Sequence, residues 1–179
     1  MLQPAKSVFD GEATLSRPPA NPTRRPLYTP EQRRRRDETK WTLVQGILAP
    51  LQFVVFGVSL WLVVRALVTG TGADLAAASV VVKTLILYTI MVTGALWEKR
   101  VFGRYLFAEA FYWEDVFSML VLALHTAYLV ALFTDSLGVR GQLFLALAAY
   151  AAYVINAAQF VLKLRAARLD EKHSQEGHV

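Results

Sequence analysis

Cysteine is absent from the 179 residues of this chain, and charged residues make up only 18% of them. Without a thiol the chain has no disulfide staple, thiolate nucleophile, cysteine zinc site or iron–sulfur cluster. Proline is scarce beyond the start, because six of the seven prolines lie within the first 30 residues. The low charge and the 55% apolar content exclude a soluble globular core, a nucleic-acid-binding module and a secreted disulfide scaffold.

Four long apolar runs take up most of the chain. About 20 helical residues are enough to cross a hydrocarbon layer of roughly 30 Å. The runs comprise residues 41–64, 75–97, 116–134 and 141–162, and Lys83 is the one charged residue in them. The sequence therefore predicts an all-α integral membrane protein, an up-down bundle of four transmembrane helices.

Basic residues alternate from one loop to the next and predict the orientation of the bundle. Residues 1–40 carry nine Lys and Arg against five Asp and Glu, and another basic group follows the fourth run. The middle loop has three basic residues, whereas the first and third loops have one each. By the positive-inside rule, both termini and the middle loop are expected to be cytoplasmic.

Composition divides the chain into three parts. Residues 1–27 mix proline with polar residues and bury too little apolar surface to become ordered, so we expect a disordered cytoplasmic arm. Residues 28–168 are expected to form a single transmembrane domain, and residues 169–179 a polar tail. Thr29 and Gln32 have the spacing of a capping box, which predicts a short helix before the first span.

The middle loop, residues 98–115, is amphipathic and rich in aromatic residues such as Tyr112 and Trp113. Aromatic side chains at this position are typical of a belt at the lipid headgroups. They are also suited to bind a flat conjugated ligand. Basic residues that could pair with a carboxylate of such a ligand are Lys99, Arg100 and Arg104.

The third span places polar residues on one helical face. Glu114, Ser118 and His125 are separated by four and seven residues, and Glu114 and His125 differ by only about 20° around the helix axis. His125 lies near the middle of its span. Three roles are open to it: axial ligand to the metal of a macrocycle, proton donor, or a structural hydrogen bond to a neighbouring helix.

Three carboxylates flank the middle loop and are the candidates for acid–base chemistry. Glu114 and Asp115 are adjacent, so they point about 100° apart and at most one is expected to face the bundle. Both residue types also favour a helix N-terminus for electrostatic reasons alone. If Glu114 faces Glu98 in a desolvated pocket, one carboxyl can act as an acid and the other as a base.

Polar stripes on the first and fourth spans predict hydrogen bonds between helices. Lys83 is expected to extend outward along its aliphatic stem, away from the bundle. The stripe residues are Gln45, Gln52 and Ser59 on the first span and Tyr150, Tyr153, Asn156, Gln159 and Lys163 on the fourth.

Long segments of the chain resemble the 3-vinyl bacteriochlorophyllide hydratases of photosynthetic bacteria. The resemblance covers about residues 27–168, with its segments in the same order. The segments are LYTPEQRRRRD (27–37), WTLVQGILAPLQF (41–53), LYTIMVTG (87–94) with WEK (97–99), YWEDVFSMLVLALHTAY (112–128) and YAAYVINA (150–157).

The resemblance implies a carbon–oxygen lyase of bacteriochlorophyll biosynthesis that adds water to the 3-vinyl group of chlorophyllide a or bacteriochlorophyllide, giving a 1-hydroxyethyl group. It implies no cofactor, because the magnesium belongs to the substrate, and no metal site of the protein's own. The expected location is the bacterial inner membrane, in a multi-pass arrangement. The expected partners are the substrate, the lipid bilayer and other pigment-biosynthesis enzymes, with no nucleic acid.

The family brings no assigned catalytic residues, so the candidates come from the residues themselves. Glu114 is the first candidate for the acid and Glu98 the second, with Asp115 or the other glutamate as base. The candidate substrate contacts are His125 as axial ligand to the substrate magnesium, Ser118, Lys99, Arg100, Arg104, Trp113, Tyr112 and Asn156. A membrane carrier of chlorins or a photosystem assembly factor is the alternative function, and it needs no pair of carboxylates.

Overall fold

The computed structural model describes residues 27–176, which form five helices and, within that range, no β-strand. The helices are α1 (Pro30–Glu38), α2 (Lys40–Thr69), α3 (Ala73–Phe102), α4 (Tyr112–Thr134) and α5 (Val139–Glu176). Helices α2 to α5 are each long and apolar enough to cross a membrane. The prediction of an all-α chain with four helices long and apolar enough to cross a membrane is confirmed.

Two predicted terminal segments extend beyond the described residues. Of the expected arm, residues 1–27, only Leu27 belongs to the described part. Helix α5 continues to Glu176, so part of the segment predicted as a polar tail is helical.

Local sequence determines where the first helices begin and end. The Gln32 amide donates to Thr29 Oγ1 at 3.2 Å, and the Thr29 amide donates to Gln32 Oε1 at 2.9 Å, which confirms the predicted capping box. The extended backbone of Thr39 separates α1 from α2. Gly70 and Gly103 end α2 and α3 with φ angles of 70° and 83°, a left-handed conformation that glycine adopts without a steric penalty.

Hydrogen bonds between helices show that neighbours run in opposite directions. Gln45 Nε2 donates to Thr93 Oγ1 at 2.7 Å, and the Ser59 and Ser79 hydroxyls lie 2.7 Å apart. Because the α2 numbers rise while the α3 numbers fall, these two helices are antiparallel. Helices α4 and α5 show the same pattern in two contacts, Ser118 with Asn156 and Glu114 with Lys163. The chain therefore forms an up-down bundle.

The bundle packs small and β-branched residues inside and leaves large apolar residues on the outside. Val63, Val121 and Ala146 are fully buried. Val68 and Phe133 are largely exposed, as expected for side chains that face lipid. Since α3 is 30 residues long, it extends for about 45 Å, more than the hydrocarbon thickness, and its end reaches the membrane interface.

The polar stripes lie inside the bundle, as predicted. The Tyr150 hydroxyl lies 2.6 Å from Ser59 Oγ and joins α5 to α2. The expectation for Lys83 was wrong, because its side chain is fully buried and its amino group lies 3.8 Å from the centre of the Tyr153 ring. Position 83 falls on the face of α3 that packs towards α5.

Candidate active site

Three carboxyl groups are buried together where the end of α3 meets the start of α4. Glu98, Glu114 and Asp115 are each at most 7% exposed. We expected only one of the two adjacent residues to face the bundle, and this expectation was wrong. Both are covered because the α4 N-terminus has neighbours on two sides: Lys163 of α5 contacts Glu114, and Glu98 of α3 contacts Asp115.

Glu98 and Asp115 form a carboxyl pair within hydrogen-bonding range of each other. A hydrogen bond between two carboxyl groups requires a proton on one of them. The loop before α4 supplies two consecutive backbone donors to the pair. The Phe107 amide donates to Asp115 Oδ2 at 2.7 Å, and the Ala108 amide donates to Glu98 Oε2 at 3.4 Å.

Phe107 has an unusual backbone conformation that serves this contact. Its φ angle is 59°, in the left-handed region that a bulky side chain rarely adopts. The amide of Phe107 donates to Asp115, and the ring packs against Tyr112 with 5.8 Å between ring centroids. Such strain of roughly 1–3 kcal/mol is typical of functional sites.

The third carboxyl group belongs to a separate ion pair. Lys163 Nζ donates to Glu114 Oε2 at 2.7 Å and lies 5.2 Å from the centre of the Phe111 ring. Lys163 also acts electrostatically on Asp115. The partner of Glu98 is thus Asp115, where the sequence interpretation paired Glu98 with Glu114.

Amide and hydroxyl groups lie one helical turn deeper. Asn156 Nδ2 donates to Ser118 Oγ at 2.8 Å, so the structure brings these two predicted contact residues together. The carbonyl oxygens of Asn156 and Gln159 are buried and accept no hydrogen bond from residues 27–176.

Five aromatic rings form a cluster next to the carboxyl groups, which we call the aromatic cap. Its members are Tyr28, Trp97, Phe102, Phe111 and Phe160. Tyr28 stacks on Phe102 and Phe160 on Phe111, each with 5.8 Å between centroids, and Trp97 meets Phe102 and Phe111 edge-on. The cap is a packed aromatic cluster in which Tyr28 and Phe111 are buried, and Phe111 lies against the Lys163 ammonium.

Several residues predicted for the site lie on exposed surface. The Tyr112 and Trp113 rings are exposed, and Lys99 donates to the Gly103 carbonyl at 3.0 Å. Arg100 and Arg104 are exposed as well. Each residue rotates the side chain by about 100° around a helix, so Lys99 and Arg100 point away once Glu98 points inward.

Sequence reasoning missed four members of the site and its backbone donors. Trp97 directly precedes Glu98, and Phe160 lies three residues before Lys163 on the same stripe, so both positions carried a signal. No sequence pattern pointed to Tyr28 or to the amide of Phe107. Lys163 was assigned to the α5 stripe without its ionic partner.

His125 lies apart from the carboxyl pair. It follows Asp115 by ten residues on α4, which is about 15 Å along the axis. Its Nδ1 lies 2.8 Å from the Val121 carbonyl, and its ring lies 5.9 Å from the Tyr150 ring. Within the described part of the chain, no group of three or more His, Asp or Glu side chains is arranged to hold a metal ion.

Comparison with known proteins identifies the family of the chain. The model of the 2-vinyl bacteriochlorophyllide hydratase family matches residues 28–166. The chain belongs to this family. The matched range includes all three carboxyl groups, Lys163 and the whole aromatic cap.

Two relatives carry the same name, 2-vinyl bacteriochlorophyllide hydratase. The relative from Rhodobacter capsulatus is 65% identical over 159 residues, covering 89% of this chain and 92% of the relative. The relative from Cereibacter sphaeroides is 66% identical over 158 residues, covering 88% of this chain and 97% of the relative. No solved structure matches the chain. The family name numbers the vinyl position 2, where the resemblance described above numbers it 3.

Proposed function

We propose that this chain is a hydratase that adds water across the 3-vinyl group of chlorophyllide a or bacteriochlorophyllide. The product carries a 3-(1-hydroxyethyl) group. The observation that carries the proposal is the buried pair Glu98 and Asp115 beside the aromatic cap, in a chain about two-thirds identical to named hydratases. This pair supplies an acid and a base next to a surface suited to a flat macrocycle.

Glu98 is the acid and Asp115 the base in this proposal. The contact of the Phe107 amide with Asp115, at 2.7 Å, is shorter than that of the Ala108 amide with Glu98, at 3.4 Å. Hydrogen bonds favour the ionised form of a carboxyl group, so the shared proton resides on Glu98.

Glu114 has a positioning role rather than the acid role first considered for it. Its carboxylate accepts a hydrogen bond from the Lys163 ammonium at 2.7 Å, so it is engaged in an ion pair and not with Glu98. Glu114 therefore fixes the position of Lys163 at the start of α4.

The reaction then consists of proton transfer to carbon, formation of one carbon–oxygen bond, and proton transfer from water to the base. Glu98 gives its proton to the terminal vinyl carbon, and the macrocycle delocalises the positive charge left on the internal carbon. A water oxygen bonds to that internal carbon and the water loses a proton to Asp115. The proton on Asp115 returns to Glu98 through their hydrogen bond. The net change is addition of one water with no oxidation, so the chemistry needs no redox cofactor.

The half-buried rings of the aromatic cap, Trp97, Phe102 and Phe160, provide the contact surface for the macrocycle. Rings that stack or meet edge-on are suited to bind a flat conjugated system. The exposed basic residues at the end of α3 are available to the propionate of the substrate, and the exposed Tyr112 and Trp113 rings are suited to the membrane interface. Ser118 and Asn156 lie one turn below the carboxyl groups.

We assign His125 to helix packing. Its side chain is fully buried, its Nδ1 lies 2.8 Å from the Val121 carbonyl, and its ring packs 5.9 Å from the Tyr150 ring. It also lies ten residues beyond Asp115 on α4, about 15 Å along the helix axis.

The proposed location is the bacterial inner membrane, with both termini and the active site on the cytoplasmic side. The support is the distribution of basic residues, which concentrate before α2, between α3 and α4, and along the end of α5. An accessibility tag inserted at Thr71, between α2 and α3, should be reached only from the periplasmic side. Labelling from the cytoplasm would reverse this orientation.

Anaerobic incubation of membranes that contain this chain with chlorophyllide a tests the function. We expect the red absorption band to shift to shorter wavelength and the pigment to gain the mass of one water, because conjugation with the vinyl group is lost. Membranes without the chain are the control. Pigment that is bound but chemically unchanged would support the carrier function instead.

A further inference from the structure

Gln159 of the α5 stripe has no role in the reaction described so far. Gln159 lies three residues after Asn156 and four before Lys163, so the three side chains share a face of the helix. The two outer residues contact Ser118 and Glu114 of α4. Gln159 therefore faces the turn of α4 that carries Asp115.

The carbonyl oxygens on this face lack donors. Gln159 Oε1 and Asn156 Oδ1 are both buried, and neither accepts a hydrogen bond from the described residues. Buried carbonyl oxygens in proteins are nearly always hydrogen-bonded, so two unpartnered acceptors side by side indicate a ligand that donates hydrogen. The orientation of Asn156 agrees with this, because its amide nitrogen is already used by Ser118 at 2.8 Å.

We propose that Gln159, together with Asn156, binds the water molecule that adds to the vinyl group. This inference rests on the proposed hydratase function. A water molecule in this site donates one hydrogen to an amide oxygen and the other to the Asp115 carboxylate. Its oxygen lone pair is then free to face the internal vinyl carbon.

Neutral acceptors suit this role better than a further carboxylate would. An amide oxygen accepts a hydrogen bond but is much less basic than a carboxylate, so the proton released from water goes to Asp115. The Gln159 and Asn156 amides therefore orient the water and leave the proton transfers to the carboxyl pair.

The cation formed by protonation of the vinyl group can react in two ways, and the ratio of the two outcomes measures the role of Gln159. When water adds to the internal carbon, the product gains a hydroxyl group. When no water is positioned, the terminal methyl group returns a proton to the Glu98 carboxylate and the vinyl group re-forms. In D2O the first step places deuterium on the terminal carbon, and the methyl can then lose hydrogen, so re-formed vinyl groups carry deuterium.

The test compares deuterium in recovered substrate with the amount of hydrated product, for purified full-length protein and chlorophyllide a in D2O. In Gln159→Met, which keeps the length of the side chain and removes the acceptor, we expect this exchange-to-hydration ratio to rise about tenfold. Gln142→Met is the matched control, because Gln142 is a buried glutamine at the other end of α5 and bonds to the Leu137 carbonyl. Its ratio should equal that of the wild type.

Asn156→Leu provides a second variant if Gln159→Met does not accumulate, and its ratio is expected to rise as well. If the wild type hydrates the pigment and the variant shows the same exchange-to-hydration ratio, the water site is refuted. The hydratase function would still stand. Absence of both exchange and hydration in the wild type would instead overturn the proposed function together with this inference.

Discussion

Glu98→Gln is the substitution that bears most directly on the proposed acid. Glutamine has the shape of glutamate, its amide oxygen can accept from the Ala108 amide, and its amide nitrogen can donate to Asp115. The packing of the site should therefore survive, while the transferable proton is lost. Because a positioned acid contributes about 10²–10⁴-fold, we expect kcat to fall by that factor, or about 2.7–5.4 kcal/mol in barrier height.

The assay is the initial rate of pigment hydration, with pigment binding and protein level measured on the same samples. Glu109→Gln is the matched control, because Glu109 lies in the loop between α3 and α4 and is exposed, and its rate should be that of the wild type. If Glu98→Gln still binds the pigment but no longer hydrates it, the chain is an enzyme and not a carrier. A rate within threefold of the wild type would refute the role of Glu98.

Three further predictions concern the neighbours of Glu98. Asp115→Asn should lower kcat by about 10²–10⁴-fold in the same assay, because it removes the base but can still accept from the Phe107 amide; a near-normal rate would contradict this. Lys163→Met should lower the free energy of unfolding by roughly 1–3 kcal/mol, because Glu114 is left buried without a partner, and adding Glu114→Gln should restore part of it. If thermal unfolding shows that the losses of Lys163→Met and Glu114→Gln simply add in the double variant, the two side chains are not paired. Phe107→Gly should keep activity and unfold no earlier than the wild type, and Phe107→Val should have a free energy of unfolding roughly 1–3 kcal/mol below that of Phe107→Gly, since only glycine adopts the left-handed backbone without strain. Equal unfolding temperatures for the two variants would count against strain at this position.

The membrane architecture could be predicted from the sequence because it depends on long uncharged runs and on loop length. A run such as residues 41–64 has no stable place except inside a membrane or a large core, and short loops force neighbouring helices to be antiparallel. The Thr29 capping box was equally local, since both of its partners lie within one turn. Each of these features is determined by residues that are close together in the chain.

The pairing inside the site could not be predicted, because it depends on how the helices rotate and tilt against each other. The separation of 17 residues between Glu98 and Asp115 does not reveal that they touch, and the 49 residues between Glu114 and Lys163 reveal still less. The burial of Lys83 has the same cause, since the face of α3 that points towards α5 follows from packing. Tyr28 reaches the aromatic cap from outside the membrane helices altogether.

The direct test of the central claim is hydration of chlorophyllide a in D2O by the purified chain, with no added cofactor or second protein. The account predicts a 3-(1-hydroxyethyl) product with one deuterium on the terminal methyl carbon, formed by the wild type and Glu109→Gln and nearly lost in Glu98→Gln. Formation of product only after a soluble extract is added, or equal product from Glu98→Gln, would contradict it.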